Sequence, residues 1–361
     1  MAVAHGQRLR RLDETTRPLG VFLNIHSSLP SACHPHPEGM DAASSLGFHA
    51  AALTFLNQPV VVAIIFQAWR KCGHVRPKTE EADFAISACG GLQGNLLKGR
   101  MTSPKPPQIT GIYRYPVKGL TPEPLPRAAL TPGETLLADR RYAIENGPSG
   151  FDPAEPKWLP KPHFLMLQRD GWLAALQTHF DDASHVLTIR HNGAIAAQGN
   201  LETAEGRAAI ERFFATSYAG QIKGPPKVLT SPGHSFSDVA RKVVSIINLA
   251  SVRAIENMVD HPVHPLRFRA NLYVEGWPAW HEFDLLDRTI AIGDVRLKVV
   301  KRIVRCAAVN VDPDTAERDL AIPQALQRRL GHGDCGIYAE VTAGGTIAVG
   351  DAIMAEQPEL L

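Results

Sequence analysis

A single cysteine stands among basic residues in the last quarter of the chain. Cys306 directly follows Arg305, and Lys301 and Arg302 lie a few positions upstream, where an alternating pattern predicts a β-strand that ends before a tight turn. Neighbouring cations favour the thiolate, the form of cysteine that binds metals or attacks electrophiles. Cys306 is therefore predicted to ligate a soft or high-valent metal or to carry a persulfide. The alternative is a small buried hydrophobic side chain.

Two basic side chains in the first half of the chain could bind an anion. Lys118 follows a predicted strand over 109–115, and Arg140 lies in a predicted strand over 138–144. Arginine suits phosphate groups through its planar fork and lysine as a point charge. For either residue alone, a structural ion pair or a solvated surface is the competing interpretation.

A third group of polar residues lies in the second half of the chain. Arg267, Arg269 and Asn271 alternate around a predicted strand over 268–274, so we expect them to share one face. Two cations and an amide on one face are suited to an anionic, hydrogen-bonding ligand. The sequence contains no phosphate-cradling glycine loop, no Gly-x-Ser-x-Gly and no His-Glu-x-x-His, which leaves a hydrolase without a recognisable nucleophile or zinc site.

Composition fits two or three domains in a reducing compartment. The 361 residues carry 38 basic and 36 acidic side chains, and this balance gives no indication of nucleic-acid binding. The five cysteines show no disulfide or iron–sulfur spacing, so we expect a cytoplasmic protein. If the protein uses an iron–sulfur cluster for electron transfer, a separate partner must carry that cluster. The apolar stretch 46–69 is interrupted by polar residues, and a membrane anchor there is the alternative.

The elements that must position these residues are mostly short strands. Residues 1–107 lack alternation and are predicted to be an extension without a packed fold, with Met101 as a candidate natural start. A first domain over 108–230 contains short strands, among them 164–167, 173–176 and 186–190, and an amphipathic helix over 206–218. A second domain over 231–357 contains a helix over 250–259, with Ser251 as its possible cap.

Turn signals complete the predicted architecture. Gly293-Asp294 separates two alternating runs and predicts a two-residue hairpin. The same phrase returns at Gly350-Asp351, which we interpret as a second hairpin of the same type. The predicted fold is mainly β with a few helices (α+β), arranged as two barrel-like domains with a cleft between them.

Seven short motifs occur in an order that resembles the MOSC superfamily, named for the C-terminal domain of molybdenum cofactor sulfurase. The resemblance covers about residues 108–356 and is to the form with an N-terminal MOSC β-barrel domain, similar to the mitochondrial amidoxime reducing component and its bacterial counterparts. The motifs are Tyr115-Pro116-Val117-Lys118-Gly119, Asp139-Arg140-Arg141-Tyr142, Arg267-Phe268-Arg269-Ala270-Asn271-Leu272, Ile292-Gly293-Asp294-Val295, Arg305-Cys306, Val311-Asp312-Pro313-Asp314-Thr315 and Gly336-Ile337-Tyr338.

This resemblance implies a pterin-based molybdenum cofactor between the two domains, with Cys306 as the molybdenum ligand and the catalytic residue. The cofactor itself would carry the chemistry. The residues that match cofactor-binding or site-lining positions are Lys118, Gly119, Arg140, Arg141, Asn248, Arg269, Asn271, Arg305 and Tyr338.

The chain departs from the family pattern at several positions. Gly119 replaces a frequent serine, Ala270 replaces proline, Asn248 stands where a cofactor-binding serine is found, and Ala316 stands where glycine is common. The sequence ends at Leu361 without the ferredoxin-like domain of some bacterial relatives, so a separate electron-donor protein is expected.

The resemblance predicts a molybdenum-dependent oxidoreductase that reduces small N-hydroxylated or related oxo-donor compounds. The alternative is a sulfur carrier or cofactor-handling protein that bears a persulfide on Cys306. A binding module without catalysis is a third possibility, although the coincidence of Lys118, Arg140, Arg269 and Cys306 counts against it. The sequence leaves binding of pyridoxal phosphate open.

Overall fold

The computed structural model describes residues 105–356, and within them the protein is mainly β with three α-helices, as predicted. The predicted extension, the candidate start at Met101 and the apolar stretch 46–69 lie outside the described residues, apart from positions 105–107 of the extension. Within the described residues, no helix has the length and apolar character needed to cross a membrane.

Fifteen strands and three α-helices make up the described part of the chain. The strands are β1 Gln108–Arg114, β2 Glu123–Leu125, β3 Arg127–Leu130, β4 Tyr142–Asn146, β5 Gln177–Phe180, β6 Val186–His191, β7 Ala194–Asn200, β8 Pro226–Thr230, β9 Val244–Asn248, β10 Leu272–Glu275, β11 Thr289–Ile292, β12 Val295–Val304, β13 Asp334–Ala343, β14 Gly345–Ala348 and β15 Met354–Ala355. The helices are α1 Ala204–Ser217, α2 Leu249–Val259 and α3 Ile322–Leu330.

An eight-stranded sheet forms the larger part of the structure, in the order β15-β11-β12-β13-β9-β10-β1-β2. Only β9 and β10 run parallel within it. A parallel pair needs a crossover connection, and α2 lies in the chain between these two strands. The sheet also takes in β1 and β2 from the start of the described chain, so the two halves of the sequence share one sheet.

The smaller part of the structure contains the β4–β8 pair, the antiparallel β5–β6–β7 sheet and α1. Its core buries the aromatic rings of Tyr142, Phe180 and Phe214 beside Leu187 and Ile210. Burial of such side chains contributes about 1.5–3 kcal/mol each. The predicted amphipathic helix is therefore confirmed, and its apolar face closes this core.

The cap of α2 differs from the prediction. The Asn248 side-chain oxygen accepts a hydrogen bond of 3.0 Å from the Ala250 amide, which makes Asn248 the capping residue. Ser251 instead donates to the buried carboxylate of Glu282 at 2.9 Å and accepts from the Trp280 amide at 2.8 Å. Ser251 is already inside the helix, where its hydroxyl joins the helix to the following segment.

The predicted strand over 268–274 is wrong in its first half. Pro265–Phe268 forms a 3-10 turn, and Arg269 follows with φ of 50° before β10 begins at Leu272. Proline is favoured in the first turn of a helix, and the left-handed residue ends that turn. Arg267, Arg269 and Asn271 consequently do not alternate along a strand.

Other local predictions also fail where the backbone turns. Ala138 and Arg140 have φ of 61° and 52°, so the predicted strand over 138–144 begins only at Tyr142. The segments 164–167 and 173–176 were predicted as strands, but the structure has an isolated bridge at Phe164 and a 3-10 helix over Gly171–Ala175. An alternating hydrophobic pattern in the sequence does not reveal where a non-glycine residue adopts a positive φ.

The two predicted hairpins have different outcomes. Gly293, with φ of 55°, connects β11 to β12 as an antiparallel pair, which confirms the first hairpin. The second prediction is wrong, because β14 pairs with β3 and Gly350 leads into a separate short strand, β15. Similar local sequences therefore occur in different strand pairings, because a distant partner strand decides the pairing.

Candidate functional site

A cavity of about 250 Å³ opens over the sheet, where β9, β12 and β13 approach loops from the smaller part of the structure. Its lining contains two acidic residues, Asp139 and Asp238. Eight basic residues also line it: Lys118, Arg140, Lys161, Arg267, Arg269, Lys301, Arg302 and Arg305. Such an excess of cations around a concave surface favours an anionic ligand.

The floor of the cavity is a row of polar side chains across neighbouring strands. Lys301 on β12 pairs with Tyr338 on β13, and Tyr338 pairs with Ser245 on β9. Residues paired across a ladder project to the same face of the sheet. The Ser245 hydroxyl then donates to the Asn271 side-chain oxygen at 2.8 Å, and Asn271 also lines the cavity. Burial raises the pKa of Tyr338, so its hydroxyl stays protonated at neutral pH.

Cys306 lies at one wall of this cavity. β12 ends at Val304, and Cys306 precedes a 3-10 helix over Ala307–Asn310. The Cys306 side chain is half-buried and lines the cavity, unlike Cys335, which is fully buried in the core. Burial raises the pKa of the Cys335 thiol to about 12. Of these two cysteines, Cys306 is the one placed for chemistry.

Arg305 is anchored beside the thiol by two backbone carbonyls. Its Nε donates to the Cys335 carbonyl at 2.7 Å, and its Nη1 donates to the Phe268 carbonyl at 3.0 Å. The remaining Nη2 is buried and has no hydrogen-bond partner among the described residues. An unsatisfied buried donor is costly, so an acceptor that reached this nitrogen would stabilise it.

Two further arginines meet over one tyrosine ring. The guanidinium groups of Arg140 and Arg269 lie 4.6 Å and 4.3 Å from the centroid of the fully buried Tyr115 ring. Arg140 is paired with Asp139, whereas Arg269 makes no ion pair with any described residue. Burial lowers the pKa of Arg269, although arginine remains charged in proteins. These contacts hold two cations at the cavity wall.

Lys118 is held by the loop that joins β8 to β9. The buried Lys118 ammonium donates to the Phe236 carbonyl at 2.9 Å and pairs with the Asp238 carboxylate. Lys161 lies 4.0 Å from the same carboxylate. Partial burial opposes ionisation of Asp238, but the adjacent Lys118 holds its pKa down at about 2. Asp238 is therefore ionised at neutral pH and supplies the negative charge at this end of the cavity.

Arg267 is held by two carboxylates, unlike the other arginines that line the cavity. Its Nη2 lies 2.6 Å from carboxylate oxygens of both Asp312 and Asp319, while its buried Nε has no partner among the described residues. Asp312 also accepts from the amides of Asp314 and Thr315, each at 2.9 Å. Asp312 thus forms the turn, in agreement with the usual behaviour of aspartate at such positions.

Most residues singled out in the sequence meet in this cavity. Eight of the predicted site residues line it: Lys118, Gly119, Arg140, Arg269, Asn271, Arg305, Cys306 and Tyr338. Gly119 has φ of 85°, and a Cβ there would lie 3.0 Å from the Leu165 carbonyl, so serine would be strained at this position.

Arg141 and Asn248 do not line the cavity. The Arg141 guanidinium is partly exposed and pairs with Glu202 at 2.8 Å. The Asn248 amide is fully buried and donates to the Pro278 carbonyl at 2.7 Å and to Glu282 at 2.9 Å. Both side chains are already committed to internal contacts.

The sequence did not identify Lys161, Asp238 or Gln168, which all line the cavity. Lys161 belongs to a 3-10 turn in a proline-rich segment, and Asp238 lies in the polar connection between β8 and β9. A polar loop between two strand patterns is a general signal for a site, but it does not mark individual residues. Gln168 carries no distinguishing signal in the sequence.

Fold and site together define a two-part β protein built around a strongly cationic cavity with a thiol in its wall. Two family models cover this architecture: the MOSC N-terminal beta barrel domain matches residues 107–225, and the MOSC domain matches residues 229–354. The chain belongs to the MOSC superfamily, in the form that carries this N-terminal domain.

Similar proteins include two molybdenum cofactor sulfurases. The protein from Caenorhabditis elegans is 25% identical over 232 residues, and that from Caenorhabditis briggsae is 36% identical over 238 residues. Each match covers 61% of this chain but only 31% of the relative. The chain therefore spans about a third of the length of these relatives.

Two solved structures are also similar. The YuaD protein of Bacillus subtilis is 13% identical, with a TM-score of 0.34 over 70% of this chain and 97% of that chain. YiiM from Geobacillus stearothermophilus is 17% identical, with a TM-score of 0.27 over 32% of this chain and 55% of that chain. Membership of the MOSC superfamily rests on the two family models.

Proposed function

We propose that the protein is a molybdenum-cofactor-dependent oxidoreductase that reduces N-hydroxylated or related oxo-donor compounds. The observation that carries this proposal is the position of Cys306, a half-buried thiol in the wall of a strongly cationic cavity. A thiolate suits a soft or high-valent metal, and the surrounding cations suit a phosphorylated organic cofactor. Membership of the MOSC superfamily supports the same conclusion.

The cavity fits such a group in both charge and hydrogen bonding. Arg305 Nη2 and Arg267 Nε are buried donors without partners among the described residues, and phosphate or carbonyl oxygens would satisfy them. Within residues 105–356, no group of three His, Cys, Asp or Glu side chains could hold a metal ion. A metal at Cys306 would therefore need most of its ligands from a non-protein group, as a pterin dithiolene provides.

Different residues would bind different parts of the cofactor. Lys118, Arg140 and Arg269 would hold anionic groups, Arg305 would donate a hydrogen bond near the metal, and Cys306 would ligate it. When bound, the cofactor supplies two-electron oxygen-transfer chemistry. The overall reaction would break the N–O bond of the substrate, take up two electrons and two protons, and release the oxygen as water.

The electrons would come from a separate donor protein. The described residues contain no cysteine set for an iron–sulfur cluster, since Cys306 and Cys335 are their only cysteines. A small haem, flavin or iron–sulfur protein that reaches the cavity mouth beside Cys306 would meet this requirement. The cytoplasm remains the proposed location, and a membrane anchor over 46–69 the alternative.

The second candidate is a sulfur carrier or cofactor-handling protein. The observation that favours it is the similarity to two molybdenum cofactor sulfurases, although only about a third of each is matched. In this function Cys306 would bear a persulfide, and the cations of the cavity would stabilise its negative charge or guide the cofactor during transfer.

Elemental and pterin analysis separates the two candidates. The full chain is produced in a host that makes molybdenum cofactor, and the purified protein is assayed for molybdenum and for the fluorescent oxidised pterin. Near-stoichiometric amounts of both, lost in Cys306→Ala but not in Cys335→Ala, support the oxidoreductase. A cyanide-labile sulfur on Cys306 without metal supports the carrier. A Cys306→Ala variant with full molybdenum and full reductase activity would contradict the Cys306 assignment.

A further inference from the structure

An arginine outside the cavity joins two parts of the cavity lining. Arg318 does not itself line the cavity. Its Nη2 donates to the carbonyls of Leu167 and Gln168 at 2.7 Å and 2.8 Å, and its Nη1 donates to the Ala307 carbonyl at 2.9 Å. The first two carbonyls belong to the MOSC N-terminal domain and the third to the MOSC domain. One guanidinium therefore binds the backbone of both domains beside the cavity.

A turn over 312–317 brings Arg318 back to the segment that follows Cys306. Asp312, at the start of this turn, accepts two amide hydrogen bonds of 2.9 Å from residues within it. Val311 then pairs with Arg318 as an isolated antiparallel bridge. The backbone of Arg318 is therefore held in place by the turn, independently of the contacts of its side chain.

Cys306 lies between backbone positions that arginines hold. Arg305 precedes it and is anchored by two carbonyls of the MOSC domain. The 3-10 helix Ala307–Asn310 follows it, with its first carbonyl bound by Arg318 and its last carbonyl bound by Arg267 Nη1 at 3.2 Å. Among the contacts of the described residues, Arg318 is the one of these three arginines that also binds the N-terminal domain.

The loop that Arg318 binds in the N-terminal domain is held by its own hydrogen bonds. The Met166 amide donates to the buried Asp170 carboxylate at 2.9 Å, and the Asp170 amide donates to the Met166 carbonyl at 2.8 Å. Gly171 is buried, and a Cβ there would lie 3.4 Å from Arg318 Nε, so the guanidinium packs against the backbone of this loop. The loop therefore gives Arg318 a fixed support.

We propose that Arg318 is a positioning residue, which fixes the Cys306 segment relative to the cavity lining supplied by the N-terminal domain. The nitrogens of a guanidinium diverge in one plane and can bind carbonyls of two segments at once, whereas a lysine ammonium is a point charge. The benefit for a thiol that ligates a metal rests on the proposed function. The positioning itself rests only on the contacts of Arg318.

The first measurement does not depend on the cofactor. It uses the cofactor-free full chain as wild type, as Arg318→Lys and as the control Arg329→Lys, which alters an exposed arginine in the last turn of α3 outside the cavity. Iodoacetamide labelling of Cys306 and Cys335 at pH 8 and hydrogen–deuterium exchange are followed by peptide-resolved mass spectrometry. Melting temperatures show whether each variant is folded.

Loss of the bridge should free both segments that Arg318 joins. We expect Arg318→Lys to raise the labelling rate of Cys306 about fivefold and to accelerate exchange in both 166–171 and 307–310, because the local opening of each segment becomes easier. Cys335 and the control variant should behave as in wild type. A wild-type labelling rate of Cys306 in Arg318→Lys would overturn the inference. Equal acceleration at Cys335, or faster exchange confined to 307–310, would also overturn it.

The second measurement uses the holoenzyme, with benzamidoxime as substrate and reduced methyl viologen as the electron source. We expect Arg318→Lys to lower kcat about tenfold, with KM within a factor of about two and molybdenum content unchanged, because a displaced thiol affects the reacting metal and not substrate binding. An unchanged kcat, or an increase in KM alone, would overturn the positioning of Cys306. Wild-type protein without molybdenum or without reductase activity would instead overturn the proposed function, and the labelling rates would still decide the role of Arg318.

Discussion

The Arg140 guanidinium donates a hydrogen bond of 3.0 Å to the carbonyl oxygen of Arg269, across the junction between the two matched domains. Both side chains also lie over the Tyr115 ring. The Tyr115 hydroxyl donates to the Ala270 carbonyl at 3.1 Å. One buried tyrosine therefore supports a cation from each domain and fixes the segment between Arg269 and Asn271.

Replacement of Tyr115 tests this support. Tyr115→Phe removes only the hydroxyl, and we expect a loss of about 1 kcal/mol in the free energy of unfolding. Tyr115→Leu also removes the aromatic face under both guanidinium groups, and we expect a loss of about 3 kcal/mol together with weaker anion binding. Urea denaturation and calorimetric titration with pyrophosphate measure the two effects. Equal stability of the two variants would contradict a role for the ring.

Asp238 gives the protein a stability change at acidic pH. Its folded pKa is about 2 against 3.8 in the unfolded chain, because Lys118 stabilises the carboxylate against partial burial. A depressed pKa stabilises the fold fully above 3.8, and this stabilisation is lost as the pH falls towards 2. We expect Asp238→Asn to lose about 1 kcal/mol at pH 6, a modest value because the Asp238 side chain is half exposed.

Urea denaturation from pH 6 to pH 2 tests the Asp238 prediction. The difference between wild type and Asp238→Asn should shrink towards zero as the pH falls through the window between the two pKa values. Asp284→Asn is a matched control, because Asp284 is exposed and its nearest ion partner is His281 at 3.4 Å. A difference that stays constant down to pH 2 would contradict the ion pair with Lys118.

The two described cysteines should differ sharply in reactivity. Cys306 is half-buried at the cavity, while Cys335 is fully buried and has its pKa raised to about 12 by burial. At pH 8, iodoacetamide should label Cys306 at least tenfold faster than Cys335 in the native protein. Peptide-resolved mass spectrometry measures both rates, and unfolding in urea should remove the difference. Equal labelling of the native protein would contradict the assigned environments.

Ala316 is expected to be a strained position. The family pattern commonly has glycine here, and the structure gives Ala316 a φ of 62°. A left-handed conformation costs a residue with a Cβ roughly 1–2 kcal/mol, and glycine avoids this strain at some entropic cost. Ala316→Gly should therefore raise the free energy of unfolding by about 1 kcal/mol. Ala194→Gly, at an exposed strand position, should lower it, and urea denaturation of both variants checks the sign.

The sequence predicted which residues meet at the cavity better than it predicted their local geometry. Helices α1 and α2, strand β1 and the first hairpin follow from periodicity and turn residues, which are local signals. The conformations of Arg140 and Arg269 do not, because non-glycine residues with positive φ are set by their tertiary contacts. The contacts of Arg141 and Asn248 could not be predicted from the sequence either, because their partners Glu202 and Glu282 are distant in the chain.

Gln168 illustrates the limit most clearly. A glutamine in a loop is unremarkable in a sequence, and only the structure shows that Gln168 lines the cavity. Motif residues such as Lys118 and Cys306 can be recognised from their neighbours. Residues without a motif that line a cavity from a loop can be identified only in the folded structure, because loops carry functional residues without marking them individually in the sequence.

Arg305 provides the most direct test of the cavity as an anion site. Two of its nitrogens hold the carbonyls of Cys335 and Phe268, and only the third is left for a ligand. A lysine ammonium keeps the positive charge but lacks the planar fork that makes three divergent contacts. We therefore expect Arg305→Lys to weaken pyrophosphate binding by about tenfold, the equivalent of one charge-assisted hydrogen bond of roughly 1.4 kcal/mol.

Isothermal titration calorimetry of the cofactor-free full chain with pyrophosphate measures this loss. Arg329→Lys is the matched control, because Arg329 is an exposed residue in the last turn of α3 and lies outside the cavity. Melting temperatures of both variants show whether the fold is retained. If Arg305→Lys binds pyrophosphate as tightly as wild type and Arg329→Lys, the unpartnered nitrogen of Arg305 does not contact the anion, and the cations nearer Lys118 must carry the binding alone.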